Sequence, residues 1–247
     1  PTAVLTSQTG FKSFYCNDCT DKLDYYTSEW KKLGFQPDGI YTGFLSSEKQ
    51  VDKILDFINS FETENTLVLV DPVMGDGGRT YSLFTDTLAC KMKKLVTVAD
   101  VITPNLTECC ILCDVDYSEF IKNADKPDFM DKIAELGKNL LNRYGVKIVI
   151  ITGIEHKDID GTMYVQNLIA SKDEVFSVSC KKIGGSYSGT GDLFASVMFS
   201  GLLRGDTLRD TVSLAVKFIE TSLRDTVALG IDRNEGIEFE KHLKILL

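Results

Sequence analysis

The chain has 247 residues, enough for one large domain or two small ones. It is 43% hydrophobic and 26% charged, as is ordinary for a soluble globular protein, and its formal net charge is -9. This charge argues against nucleic acid as a partner, because binding a phosphate backbone needs clustered Lys and Arg. No run approaches the roughly 20 apolar residues that span a bilayer, so we expect no membrane partner either.

The cysteine content predicts a reduced, cytoplasmic protein, because seven is an odd number in a chain of this size. The chain has two C-x-x-C pairs, Cys16 with Cys19 and Cys110 with Cys113, which could together bind zinc. The second pair, however, lies in an apolar helical stretch where cysteine packs as a small hydrophobe. The first lies in a polar connection without a nearby histidine, and we therefore favour no zinc.

Residues 39–151 alternate short apolar runs with helical patterns. This alternation predicts a mostly parallel sheet with helices on both sides. Strands are expected at 39–44, 66–70, 101–103 and 146–151. Helices are expected over 47–61 and 128–144, around Leu88, Met92 and Leu95, and from Thr107 onward.

The pattern changes after residue 151. Two short strands at 162–165 and 175–178, separated by a polar turn, predict an antiparallel pair at a sheet edge. Helices are then expected over 193–203 and 207–229, with Thr207 and Asp210 resembling a capping box. The tail, 236–247, reads as a last amphipathic helix. Because no linker or repeat interrupts the chain, we expect one domain over residues 1–247.

Polar residues and turn formers follow four predicted strands. They are Thr42-Gly43-Phe44, Asp71-Pro72-Val73-Met74-Gly75-Asp76, Thr103-Pro104-Asn105 with Glu108, and Thr152-Gly153. Each alone is an ordinary turn sequence. Their shared position, however, is where open parallel sheets gather their chemistry.

The stretch Gly189-Thr190-Gly191-Asp192 is a glycine-rich turn that runs into an apolar helical pattern. Such a junction points backbone N–H groups and the positive end of a helix dipole at one spot, which suits an anion. Asp192 would repel that anion. Its presence makes sense if it accepts a proton from a nucleophile while the N–H groups hold the developing charge. The alternative is a plain helix cap.

Taken together these motifs, with Tyr41-Thr42-Gly43-Phe44, Ala99 to Asn105 and the opening Ser7-Gln8-Thr9-Gly10, resemble the ribokinase-like superfamily and within it the pyridoxal kinases. The resemblance covers nearly the whole chain. It implies a three-layer α/β/α sandwich with a mostly parallel central sheet and an antiparallel edge. It also implies a homodimer.

The resemblance implies transfer of the ATP γ-phosphate to the 5′-hydroxymethyl group of pyridoxal, pyridoxine or pyridoxamine. Catalysis would fall to Asp192 as base and to the N–H groups of Gly189, Thr190 and Gly191. The substrate would contact Thr9, Phe44 and Asp192. Nucleotide-binding positions would be Asp71, Asn105, Glu108, Thr152, Gly153, Ile183, Gly184, Gly185 and Thr190.

The resemblance also implies two kinds of cation. Glu108 and Asp71 would lie at Mg²⁺, and Asp76, Thr103 and Thr152 match positions that hold a monovalent ion, K⁺ or Na⁺. The loop 75–81 would be a lid, with Arg79 reaching phosphate. One departure is that family members normally begin with a further strand and helix, which we expect to precede Pro1.

Two alternatives stay open. One is a kinase for hydroxymethylpyrimidine, which shares the Thr-Pro-Asn and Gly-x-Gly-Asp motifs; the acidic, glycine-rich lid favours pyridoxal. The other is a non-catalytic relative that binds pyridoxal phosphate. Retention of Asp192 argues against it, because a binder of phosphate would gain from losing that negative charge.

Overall fold

The main element of the fold is a sheet of six strands, and the computed structural model describes it within residues 3–81 and 84–247. The strands of the chain are Val4–Thr6 (β1), Cys16–Asp18 (β2), Gly39–Thr42 (β3), Leu67–Val70 (β4), Gly75–Asp76 (β5), Arg79–Thr80 (β6), Val101–Ile102 (β7), Ile148–Lys157 (β8), Met163–Ser171 (β9) and Val175–Lys181 (β10). The large sheet has the order β10-β9-β8-β7-β4-β3.

The parallel part of this sheet confirms the prediction from the sequence. β3 pairs with β4, β4 with β7, and β7 with β8, all in parallel. The registers set Thr42 opposite Val70 and Val70 opposite Ile102. Val70 and Ile102 are fully buried. These strands read as continuous apolar runs because both faces of a parallel sheet are covered.

The antiparallel edge is also confirmed, although its strands are longer than predicted. The N–H of Lys182 donates to the carbonyl of Met163, and that of Ser171 to Glu174, which closes a hairpin of β9 and β10. The N–H of Asp158 donates to the carbonyl of Thr162 at the turn between β8 and β9. The predicted boundaries were short because polar residues outside the apolar runs also join the ladders.

The helices are Thr20–Lys32 (α1), Glu48–Phe61 (α2), Asp86–Val96 (α3), Leu106–Cys113 (α4), Tyr117–Ile121 (α5), Phe129–Tyr144 (α6), Thr190–Arg204 (α7) and Leu208–Leu229 (α8). α2 shows why they form. Its apolar residues recur every three or four positions and are buried, and the Ser47 hydroxyl caps its first turn. Every helix within the described ranges is too short or too polar to span a bilayer.

Two predicted helix boundaries were wrong. α7 begins at Thr190 rather than 193, because Gly189 takes a left-handed conformation (φ 81°) that ends the preceding loop. The tail forms a 3₁₀ helix only over Glu240–Leu246. There the N–H of Glu238 donates to the Thr226 hydroxyl at 2.9 Å, which ties the start of the tail to α8 instead of to its own helix.

The start of the chain contains elements that the sequence did not predict. β1 and β2 form a separate antiparallel pair, and their exposed residues give no alternating pattern. α1 buries only Thr20 and Leu23, too few to produce a helical period. The apolar periodicity of the sequence therefore predicted none of β1, β2 and α1.

The chain divides into two compact units. The first comprises the described residues of 1–7, 14–151 and 169–175, and the second comprises 8–13, 152–168 and 176–247. The first holds the parallel strands with α1 to α6, and the second holds α7, α8 and the 3₁₀ tail. A single kinase domain over residues 1–247 stays a prediction.

Candidate active site

The first turn of α4 organises the candidate site of the first unit. The side-chain oxygen of Asn105 accepts the N–H of Glu108 at 3.0 Å, and Glu108 Oε2 accepts the N–H of Asn105 at 2.8 Å. This reciprocal pair is a capping box, which satisfies two donors that a helix start leaves without partners. It fixes the carboxyl group of Glu108 at the end of β7.

The carboxyl group of Glu108 is buried, with 3% of the residue exposed. Its other oxygen accepts the N–H of Met74 at 3.0 Å. Burial, and after it the negative charge of Asp71, raise the pKa of Glu108 to about 8, although the backbone donors act in the opposite direction. The site therefore holds a carboxyl group whose charged form needs a compensating cation.

Asp71 supplies the second carboxyl group. It follows β4 directly and is half-buried, and its N–H donates to the carbonyl of Thr42 at 2.9 Å. Within the described ranges no three His, Cys, Asp or Glu side chains form a metal-binding group. Two neighbouring carboxylates still fit Mg²⁺, which keeps several waters and takes few protein ligands.

Thr103 and Thr42 have buried hydroxyl groups that lack a hydrogen-bond partner within the described part of the chain. A buried hydroxyl normally has a partner, so an unsatisfied one at a strand end fits an oxygen-coordinated ion. Thr103 was predicted as a cation ligand and Thr42 was not. The sequence predicted Thr42 only as part of a strand-end motif, and the structure adds that its buried hydroxyl lacks a partner in the described part of the chain.

Asp76 and Phe44, the other predicted residues of this unit, are exposed. Asp76 lies on the hairpin of β5 and β6 and accepts the N–H of Gly77 at 2.8 Å. Phe44 follows the end of β3 and is 41% exposed. The structure does not bring Asp76 into hydrogen-bond contact with Thr103, and its role as a cation ligand stays a prediction.

The predicted lid contains this small hairpin rather than an irregular loop. Gly77 and Gly78 both have positive φ, 57° and 78°, as the two central residues of a type I′ turn require. A Gly-Gly pair between short polar runs is a hairpin signal that the sequence analysis overlooked. Gly75 is also needed, because a Cβ there would lie 2.3 Å from the carbonyl oxygen of Arg79.

The glycine turn of the second unit leads directly into α7, with Gly189 as the residue before the helix. Thr190 is the first helical residue, and its hydroxyl donates to the carbonyl of Tyr187 at 3.1 Å. A Cβ on Gly191 would meet no atom within 4 Å, so protein packing does not require glycine there. Asp192 lies exposed in the first turn of the helix. Exposed N–H groups and open backbone suit the approach of an anion.

The remaining predicted positions also belong to the second unit. Gly153 has φ 69° inside β8, and its N–H donates to the side-chain oxygen of Asn167 at 3.2 Å. Sequence reasoning missed Asn167, whose burial and contact with Gly153 depend on the pairing of distant strands. The other positions are Thr9, which is exposed, Thr152 and Ile183, which are half-buried, and Gly184 and Gly185, which are exposed.

Comparison with known proteins identifies the family. The model of the phosphomethylpyrimidine kinase family matches residues 30–236, most of the chain. The chain belongs to this family.

Relatives of this family member include both vitamin kinases that the sequence suggested. It is 30% identical over 207 residues to a candidate pyridoxal kinase of Schizosaccharomyces pombe, and 26% identical over 198 residues to a hydroxymethylpyrimidine/phosphomethylpyrimidine kinase of Staphylococcus aureus. These matches cover 81% and 80% of the chain. The chain spans 57% and 66% of the length of the two relatives.

Solved structures agree with the fold of the family member. A candidate phosphomethylpyrimidine kinase of Bacteroides thetaiotaomicron, crystallised with pyridoxal, has a TM-score of 0.89 and 35% identity over 99% of the chain and 83% of its own. Pyridoxal kinase from Lactobacillus plantarum has a TM-score of 0.84 and 24% identity, and the match covers 99% of this chain and 84% of the Lactobacillus chain. The α/β fold with a mostly parallel sheet and antiparallel strands is therefore that of pyridoxal kinases.

Proposed function

We propose that this protein transfers the γ-phosphate of ATP to the 5′-hydroxymethyl group of pyridoxal, pyridoxine or pyridoxamine. The observation that carries the proposal is Asp192, a carboxyl group in the first turn of α7, three residues after Gly189, which takes a left-handed conformation. A site that only bound phosphate would be weakened by that charge. A site that deprotonates an alcohol needs it.

The Bacteroides thetaiotaomicron protein supports the choice of substrate, because it was crystallised with pyridoxal and is 35% identical to this chain. ATP as phosphoryl donor is supported by the Leishmania donovani pyridoxal kinase, of similar fold, which was solved in complex with ADP. The chain spans less than two thirds of the length of its curated relatives, and the activity is therefore a proposal.

The chemistry follows from the residues at the start of α7. Asp192 accepts the proton of the substrate hydroxyl as its oxygen attacks the γ-phosphorus, and the bond from that phosphorus to the ADP oxygen breaks. The N–H groups of Gly189, Thr190 and Gly191 hold the charge on the phosphoryl oxygens. Because phosphoryl transfer has a loose transition state, placement and charge stabilisation supply most of the catalysis.

The carboxyl groups of Glu108 and Asp71 would hold Mg²⁺, with Asn105 fixing Glu108 through the capping box. Bound Mg²⁺ neutralises phosphate charge. Thr103, with its unsatisfied buried hydroxyl, would be a ligand of the monovalent ion in the first unit, and the roles of Asp76 and Thr152 as ligands rest on the resemblance alone. Thr152, Gly153 and residues 183–185 would line the nucleotide, and Thr9 and Phe44 would contact the pyridine ring.

The second candidate is a hydroxymethylpyrimidine kinase. It is supported by the description of the matching family and by the Staphylococcus aureus relatives at 26% identity. Both substrates are hydroxymethyl groups on aromatic nitrogen rings, so the same base and the same glycine turn would serve either reaction.

An ATP-consumption assay on the intact protein tests both candidates, with pyridoxal, pyridoxine, pyridoxamine and hydroxymethylpyrimidine as separate substrates. We expect kcat/KM for a B6 vitamer to exceed that for hydroxymethylpyrimidine. Faster turnover of the pyrimidine would make the second candidate correct. Turnover of none of the four would contradict the kinase proposal.

A further inference from the structure

The hairpin of β5 and β6, Gly75–Thr80, is held by the first turn of α4. The side-chain amide of Asn105 donates to the carbonyl of Gly75 at 2.7 Å. At the other end of the hairpin, the N–H of Gly78 donates to the hydroxyl of Thr107 at 2.9 Å. Thr107 is buried and Gly78 is exposed, so this bond is partly buried.

The start of α5 supplies a second contact. A Cβ on Gly78 would lie 2.5 Å from Cδ1 of Tyr117, so the aromatic ring packs directly against the turn of the hairpin. Tyr117 is half-buried there. Burial raises the pKa of its hydroxyl, and the charge of Asp76 on the same hairpin raises it further.

These contacts matter because the hairpin is too short to be stable by itself. It has two residues in each strand, and even longer isolated hairpins are marginal in water. The capping box accounts for Asn105 and Glu108 as helix residues, but the helix does not need the hydroxyl of Thr107. Its hydrogen bond serves the hairpin.

We propose that Thr107 and Tyr117 are positioning residues that keep the hairpin Gly75–Thr80 docked on α4 and α5 before substrates bind. The functional part rests on the proposed kinase activity. The hairpin carries Arg79, which is exposed, and it directly follows Met74, whose N–H donates to the carboxyl group of Glu108 at 3.0 Å. When the hairpin is docked, the guanidinium of Arg79 and the carboxyl group of Glu108 are in place before ATP binds, so binding needs no further ordering of the hairpin.

Hydrogen exchange of the intact, substrate-free protein tests the docking. Thr107→Val keeps the shape of the side chain and removes the acceptor. Since one hydrogen bond contributes about 1 kcal/mol, we expect the Gly78 amide to exchange about fivefold faster. Thr107→Ser should retain protection. Thr211→Val is the matched control, since the Thr211 hydroxyl is buried without a partner in the described part of the chain. Unchanged exchange at Gly78 in Thr107→Val would overturn the proposal.

A pair of glycine variants tests Tyr117. Gly77 and Gly78 both have positive φ, so alanine strains the backbone at either position. Only at Gly78 would the new methyl group collide with the ring, because a Cβ on Gly77 meets no atom within 4 Å. Gly78→Ala should therefore increase the exchange rate of the hairpin amides more than Gly77→Ala does. Equal exchange in the two variants would remove Tyr117 from the proposal.

Kinetics test the functional part. Release of the hairpin should raise KM for ATP by at most the factor by which the exchange rate of the Gly78 amide rises. It should leave kcat within about twofold, because part of the binding free energy of ATP is used to dock the hairpin again. A Thr107→Val enzyme with faster exchange and unchanged KM would overturn the link to binding. An inactive wild-type protein would contradict the kinase proposal alone, since the exchange experiment would still decide the docking.

Discussion

Asp192 is the proposed general base of the phosphoryl transfer. We predict that Asp192→Asn lowers kcat by at least about 10²-fold, because a primary alcohol is a poor nucleophile without a positioned base. KM for ATP should change little. The matched control is Asp206→Asn, which alters an exposed aspartate paired with Arg204 just beyond the other end of the same helix. Steady-state kinetics on both variants measure this, and an unimpaired Asp192→Asn enzyme rules out the base assignment.

Glu108 links the stability of the protein to pH and to metal. Its pKa rises from 4.5 to about 8 on folding. Its contribution to the free energy of unfolding is therefore complete below pH 4.5 and is lost as the pH rises toward 8. In metal-free buffer we predict that wild type loses stability relative to Glu108→Gln between pH 5 and pH 8, by at most about 1.4 kcal/mol per pH unit.

Urea denaturation with a chelator at several pH values measures this difference. Glu119→Gln is the control, because Glu119 is an exposed carboxylate paired with Lys122. Added Mg²⁺ should reduce the loss for wild type. Parallel stability curves for wild type and Glu108→Gln would contradict the prediction.

At the scale of the element, α4 combines a helix cap with the support of a hairpin. Asn105 accepts from Glu108 and donates to Gly75, so Asn105→Ala removes two interactions. We predict a loss of about 2 kcal/mol in the free energy of unfolding, since a cap contributes about 1 kcal/mol and a hydrogen bond a similar amount. Asp116→Ala, which removes the cap of α5, should cost about half as much. Equal losses in denaturant titrations would show that the bond to Gly75 contributes nothing.

For the whole molecule, we expect the ligand that binds the folded state more tightly to raise the free energy of unfolding more. A ligand that binds only the folded state adds about 2.7 kcal/mol at a concentration of 100 times its Kd. We predict that pyridoxal with a non-hydrolysable ATP analogue raises Tm, and that hydroxymethylpyrimidine at equal concentration raises it less. Thermal unfolding measures both shifts. A larger shift with the pyrimidine would favour the second candidate function.

The fold was predictable wherever burial produces a period in the sequence. The parallel strands were found because their buried faces make runs such as 67–70, and α2 and α6 because their apolar residues recur at helical spacing. β1, β2 and α1 were not found, because elements that bury few side chains leave no such pattern. The tail was misread because its backbone donates to Thr226, a partner distant in sequence.

Residue types were enough to predict the family, the mostly parallel α/β fold and the motif Gly189-Thr190-Gly191-Asp192, because apolar periodicity and turn-forming residues are local features of the chain. The burial of Glu108 beside Asp71, its raised pKa and the contacts of Thr107 and Tyr117 with the hairpin 75–80 became visible in the folded chain. Burial and contacts across the chain depend on which distant strands and helices meet, and no short stretch of residues carries that information.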